Sequence, residues 1–220
     1  MRLFKIVGLT DKKNKSKMQK IAKDAGMKIE LLIANNIKEL EHFFINDHDL
    51  LLSFGTNIIV PDWILKKRNL TALNVHSAPP EYPGRDPHHF AVYDGVEEYG
   101  ATLHIMTKKV DSGPIIGMKK FKINHKEGPY KLLSKANDGS WSLIKGLFEK
   151  LSKGSALIPL PEIFWGKRVT TRKMFLDMCK LDLHLSDEEF KRRLRAFSFP
   201  GHNNLYLDFY GYKFYIENKA

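Results

Sequence analysis

The chain has 220 residues, enough for one full hydrophobic core with a small appendage and cramped for two. Hydrophobic residues at 43% and charged residues at 28%, with no collagen-like period or polar low-complexity tract, exclude a fibrous or disordered protein. The excess of 36 basic over 25 acidic residues gives a charge of +11, a field that gathers anions without choosing among nucleic acid, phosphorylated metabolites and anionic lipid.

The single cysteine, Cys179, excludes an intrachain disulfide and a multi-cysteine zinc site. The opening apolar run is too short for a signal peptide, and no stretch reaches the 18 or more apolar residues of a membrane span, so a cytoplasmic protein without a membrane partner is expected.

Residues 3–9 read as a buried strand, after which Asp11 offers an N-cap to a helix running to about Ala25, with Gly26 as its stop. A strand over 27–34, a short helix over 37–45 and a strand over 49–53 follow, and this alternation predicts a parallel sheet covered by helices. Pro61 opens a short helix (62–67), and 70–75 forms the next strand. The Pro-rich loop APPEYPGRD sits at that strand's C-terminal end, the edge of an open α/β sheet where ligands bind.

Residues 86–93 read as a helix, 101–107 and 114–123 as strands flanking KKVDSG, and 127–151 as the longest helix, ending before Gly154. Residues 155–175, rich in Pro, Gly, Arg and Lys, read as an irregular surface connection. In the tail, Ser186 with Glu189 is a capping box for a helix to about Phe197, 200–203 is a turn, and 205–209 with 213–216 alternate as a hairpin across Tyr210–Gly211. The domain division expected is 1–154 for the catalytic unit and 155–220 for a linker with a small C-terminal helix and hairpin.

The residues with chemistry are Asn74, His76 and Asp111. Side chains alternate along a strand, so Asn74 and His76 project to one side at a strand end and present an amide donor beside a titratable imidazole. The loop after them, with Pro79, Pro80 and Pro83, loses little entropy on ordering, and Gly84 permits backbone geometry that other residues resist. An amide, an imidazole and a carboxylate converging there suit acyl transfer to an amine, the amide serving the oxyanion and Asp111 orienting the imidazole or accepting the amine proton. Taken singly, a histidine at a strand end or an Asp-Ser-Gly turn is a structural commonplace.

The order Asn74-x-His76, Pro80-x-Tyr82-x-Gly84, Gly100-Ala-Thr-Leu-His104 and Asp111-Ser-Gly-Pro-Ile-Ile116 resembles the folate-dependent formyltransferase family over about the first 150 residues. The resemblance implies a Rossmann-like α/β fold with a mostly parallel sheet flanked by helices, followed by a small C-terminal helix and β-hairpin. It also implies 10-formyltetrahydrofolate as formyl donor, no metal, and Asn74, His76 and Asp111 as the catalytic residues.

By the same resemblance, Phe54, Gly55, Thr56 and Ile58 on one side and Ile105, Met106 and Val110 on the other flank the pteridine pocket, although plain core packing also accounts for Phe54, Ile58 and Met106. Ser77 stands where this family commonly has proline, a departure that bears on the loop's path.

Within the family, the short tail with LRAFSFPG and a hairpin is most similar to the sugar-nucleotide N-formyltransferases, which implies a nucleoside-diphosphate-linked 3- or 4-amino-deoxysugar as substrate and a homodimer formed through the C-terminal element. Lys12, Lys13, Ser77, Tyr82, Gly84, Arg85 and Trp165 are the expected substrate contacts. For Lys12 and Lys13 a solvated helix start, and for Trp165 a tail anchor, are the structural alternatives. Glycinamide ribonucleotide, methionyl-tRNA and, for a hydrolase, water are the competing acceptors. Nucleic acid as a partner is disfavoured by the lack of zinc spacing, an RNP-like motif or a helix-turn-helix.

Overall fold

The computed structural model describes residues 3–217. Three aliphatic segments pair first: β1 (Leu3–Leu9) lies between β2 (Lys28–Ala34) and β3 (Leu50–Phe54), parallel to both. β4 (Thr71–His76) adds parallel to β3, after which β5 (Glu98–Ile105) and β6 (Ile115–Lys122) each add antiparallel. The sheet order is therefore β2-β1-β3-β4-β5-β6, the mostly parallel α/β sheet that the sequence predicts.

Helices cover both faces. α1 (Lys15–Asp24) and α5 (Pro129–Ser152) pack Met18, Ala22, Ile144, Leu147 and Phe148 onto Ile6, Leu50, Leu52, Leu73 and Val75. On the other face, α2 (Ile37–Phe43) and α3 (Asp62–Leu65) bring Leu40 and Ile64 against Val7, Leu9, Leu51 and Ala72. Each such fully buried side chain stabilises the fold by about 1.5–3 kcal/mol. The alternation on β4 decides where the chemistry sits. Leu73 and Val75 point to the α1/α5 face, so Asn74 and His76 follow Ala72 to the α2/α3 face, which the short α3 leaves open at the strand ends.

Local capping matches the sequence with two differences. Asp11 accepts from the Lys13 N–H as expected, but the first turn is 3₁₀ (Lys12–Asn14) before α1 begins. Ser186 accepts from the Glu189 N–H at the start of α7 (Asp187–Phe197), whereas the Glu189 carboxylate accepts from the Tyr93 hydroxyl and Arg193, so only half of the capping box forms.

The segment expected to be irregular over 155–175 holds the start of a further helix, α6 (Arg172–Cys179), capped by Thr171 and burying only Phe175 and Cys179. Two buried positions one turn apart are too few to register as a period. α6 leads into β7 (Lys180–Leu181), which pairs with the hairpin β8 (Tyr206–Phe209) and β9 (Tyr212–Tyr215).

The tail shares a core with α4 (Pro87–Asp94): Phe175, Leu181, Phe197 and Leu205 pack with Phe90, Tyr99 and Leu132. His89 lies at its centre, 4% exposed, donating from Nδ1 to the Ala196 carbonyl at 2.7 Å and stacking on Phe197.

A second seam is made by backbone. Thr170 donates its N–H to Pro83 O and accepts from the Arg85 N–H, both at 2.9 Å, while its hydroxyl donates to Arg85 O at 2.7 Å. Gly84 lies inside this clasp at φ +102°, where a Cβ would stand 2.2 Å from Thr170 O.

Gly84→Ala should therefore cost on the order of 3 kcal/mol in denaturant unfolding, against about 1 kcal/mol for Gly95→Ala, whose positive φ is not accompanied by any atom within 4 Å. A second expectation concerns acid. Burial lowers the His89 pKa from 6.5 to about 4, although the bond to Ala196 and the Asp86 charge pull upward; Arg172 and His202 add to the lowering.

The native state thus refuses a proton that the unfolded chain accepts. This contribution to stability is complete above about pH 6.5 and is lost as pH falls toward about 4, by on the order of 3 kcal/mol. Buried His88 pushes the same way. Unfolding free energies at pH 7, 5.5 and 4.5 should show the decline, and His89→Phe should start lower at pH 7 but decline less.

Candidate active site

The antiparallel switch at β4/β5 sets His104 directly opposite Asn74, on the same face of the sheet, next to a register shift at Leu103/His104. The loop after β5 then returns over the strand ends and buries Asp111 at a left-handed φ of 42°. The return is tight: a Cβ on Gly113 would stand 1.9 Å from Ile105 O, so only glycine allows it.

Asp111 is the hub. Its Oδ2 accepts from the Gly84 N–H at 2.9 Å and lies 3.5 Å from His76 Nδ1. Its Oδ1 is 3.4 Å from His104 Nε2 and 3.5 Å from Asn74 Nδ2. Asn74 Nδ2 also donates to His104 Nε2 at 3.1 Å.

The other nitrogen of each histidine faces a carbonyl, which can only accept: His76 Nε2 meets Tyr82 O and His104 Nδ1 meets Ile105 O, both at 2.9 Å. Those nitrogens therefore carry protons, and each imidazole turns its other nitrogen toward Asp111. The Pro-rich loop makes this possible, because its turn from Pro79 O to the Tyr82 N–H brings the Tyr82 carbonyl back over His76.

Burial pushes the Asp111 carboxyl up, but the His76 charge, the neighbouring His104 and the Gly84 N–H outweigh it and hold the group below its ordinary value of 3.8. The cluster thus offers an ionised, buried carboxylate beside two imidazoles and an amide. Its side chains are not arranged to hold a metal ion, and no group of three or more such ligands is so arranged among the described residues.

The cluster lies at the wall of a cavity of about 410 Å³, the size of a small-molecule site. Of the residues expected near a pteridine, Thr56, Ile58, Met106 and Val110 line it. Phe54 turns into the core against Trp141, Ile105 also packs on that core, and Gly55 forms the turn beyond β3 at φ +62°.

Of the expected substrate contacts, Gly84 and Arg85 line the cavity and the others are engaged elsewhere. Lys12 pairs with Glu39 and Lys13 with Asp11 on the surface. The Ser77 hydroxyl binds Asn137 and Ser140 of α5, and the Tyr82 hydroxyl donates to Asp94. Trp165 donates to Gly113 O and sets its ring edge-on to His104 and His76, backing the cluster instead of facing a base.

Two contributions go beyond the residues selected from sequence. His104 belongs to the Gly100–His104 motif, but its role depends on the cross-strand register with Asn74. Val169–Arg172, in the stretch read as a connection, forms another wall of the cavity. No helix among the described residues is long and apolar enough to cross a membrane.

In solved structures the same fold recurs along the whole chain. A sugar N-formyltransferase from a Shewanella species superposes with a TM-score of 0.80 at 20% identity, covering 100% of this chain and 98% of that one. A 4-N formyltransferase from Francisella tularensis gives 0.78 at 19%, covering 97% and 96%. An N-formyltransferase from Helicobacter canadensis, in complex with folinic acid and dTDP-3-aminofucose, gives 0.72 at 16%, covering 96% and 86%.

By sequence, the methionyl-tRNA formyltransferase of Listeria innocua is 35% identical over 133 residues, 59% of this chain and 38% of that protein. The alignment thus spans less than two fifths of the curated relatives' length. The model of the family described as formyl transferase matches residues 5–144. With more than half of its length matched, and with Asn74, His76 and Asp111 all inside the match, the chain belongs to the formyl transferase family.

Proposed function

We propose that this protein transfers the formyl group of 10-formyltetrahydrofolate to the amino group of a nucleoside-diphosphate-linked 3- or 4-amino-deoxysugar. The observation that carries the transfer chemistry is the Asn74–His76–His104–Asp111 cluster at the cavity wall. The acceptor reading is supported by the closer superposition of two sugar N-formyltransferases, at TM-scores of 0.78 and 0.80, than of a methionyl-tRNA formyltransferase from Clostridium thermocellum, which covers 97% of this chain at 0.68. A methionyl-tRNA acceptor is the second reading, supported by the 35% identity.

In this reading the neutral amine attacks the formyl carbon, forming the C–N bond and a tetrahedral oxyanion. One Asn74 N–H is held by His104, which fixes the amide; the other spans only a marginal 3.5 Å to Asp111 and is the donor for the oxyanion. His76 Nδ1, in an equally loose contact with Asp111, is the proton donor beside it, because Nε2 is committed to Tyr82 O. Asp111 holds the imidazolium and receives the amine proton through water. The oxyanion then collapses, the bond from the formyl carbon to N10 breaks, and N10 takes back, through the same water, the proton that Asp111 received, so that tetrahydrofolate leaves and the carboxylate is restored.

No protein metal takes part in this scheme. The lining supports the donor assignment by offering Ile58, Val60, Leu65, Met106 and Val110 to the faces of a flat heterocyclic ring. The hairpin exposes Phe209, Tyr212, Phe214 and Tyr215, a surface suited to a homodimer.

The test is tetrahydrofolate release from 10-formyltetrahydrofolate with TDP-, UDP- and GDP-linked 3- and 4-amino sugars, glycinamide ribonucleotide and methionyl-tRNA as acceptors. One amino sugar should turn over. Asn74→Ala and His76→Ala should each lower turnover by about 10²–10⁴. Near-normal turnover in either variant would overturn the assigned roles. Turnover with methionyl-tRNA alone would replace the acceptor, and release without any amine would identify a hydrolase.

A further inference from the structure

The cavity wall is strongly cationic. Arg85, Lys108, Lys109 and Arg172 line it, against the single carboxylate of Asp111, itself absorbed by the histidines. The two arginines come from different parts of the chain, the Pro-rich loop and the first residue of α6, yet the Thr170 clasp hydrogen-bonds their backbone segments directly to each other.

Their guanidinium groups also share one carboxylate. Asp86 Oδ2 is 3.7 Å from Arg85 Nε and 3.5 Å from Arg172 Nη1. That oxygen is buried without a hydrogen bond, on a residue held at a left-handed φ of 54°. One carboxylate at ion-pair distance steers two guanidinium groups without satisfying their donors, and both side chains remain about half exposed.

We propose that Arg85 and Arg172, yoked by Asp86, form a two-arginine seat for the diphosphate of the acceptor substrate; the inference rests on the nucleotide-linked acceptor proposed above. Two planar forks on a fixed frame match the oxygens of a dianionic diphosphate, and the frame removes most of the ordering cost of binding. The lysines have a different neighbourhood. Lys108 and Lys109 line the cavity from another segment, the loop that carries Met106 and Val110.

Asp86 serves as a positioning residue. It draws both guanidinium groups to one carboxylate while leaving one net positive charge for the ligand. The seat also gives a use to the Val169–Arg172 wall, which lies beyond the family match at residues 5–144.

The test is calorimetric binding of thymidine diphosphate, uridine diphosphate, inorganic pyrophosphate and folinic acid to the wild-type chain, Arg85→Gln and Arg172→Gln. At least one nucleoside diphosphate should bind the wild type, and each variant should weaken it and pyrophosphate by about 10- to 100-fold, the loss of a charge-assisted hydrogen-bonding group. Folinic acid should stay within twofold, which also reports that the variants are folded.

A parallel loss of folinic acid would assign the arginines to the donor's carboxylates and overturn the seat. If the wild type formylates a nucleotide-linked amino sugar and the variants keep its KM, the seat alone falls. If the wild type binds folinic acid but no nucleoside diphosphate, the acceptor reading falls and the seat with it.

Discussion

A buried carboxylate is the constraint on which the site is built. Removing Asp111 from water costs several kcal/mol unless its oxygens are matched by charge and hydrogen bonds, and the fold supplies them from three directions: the Gly84 N–H, His76 and His104. Each imidazole is in turn fixed by a carbonyl on its far side. Residues remote from the reacting atoms follow from this. The Pro79–Tyr82 turn exists to deliver Tyr82 O, and the close pass of Gly113 under Ile105 O brings Asp111 over the strand ends. Trp165 then seals the histidines from behind.

The sheet makes these supports converge. β5 runs antiparallel to β4, and Asn74 and His104 are cross-strand partners. The antiparallel step sets them opposite each other and lets a short loop return Asp111 to the same end. A backbone bulge beside His104 and a left-handed Asp111 accompany the arrangement, as expected where local regularity yields to a site.

Much of this was legible in the sequence because it is local. The strand and helix order, the cap at Asp11, the start of α7 at Ser186 and the turn at Tyr210–Gly211 all rest on residues within a few positions of one another. The shared side of Asn74 and His76 follows from strand alternation alone. What could not be read depends on pairing across distance. His104 needed the register with Asn74, and Trp165 needed its bond to Gly113 O, 52 positions away. Lys12 and Lys13 illustrate the converse: a basic pair after the first strand suits an anion, but Glu39 and Asp11 lie nearer. α6 escaped because eight residues with two buried positions give no recognisable period.

On the proposed reading, transfer chemistry and substrate choice are segregated along the chain. Asn74, His76, His104 and Asp111 all fall within residues 5–144, the part matched by the family model. The clasp at Thr170 and the wall at Val169–Arg172 fall outside it, on a tail whose core is continuous with α4. The geometry also links the two. Gly84 gives its N–H to Asp111 while its neighbours bind Thr170, so a tail that docks poorly loosens the Asp111 hub as well as the acceptor wall. The same glycine that admits the tail thereby couples its docking to the buried carboxylate of Asp111.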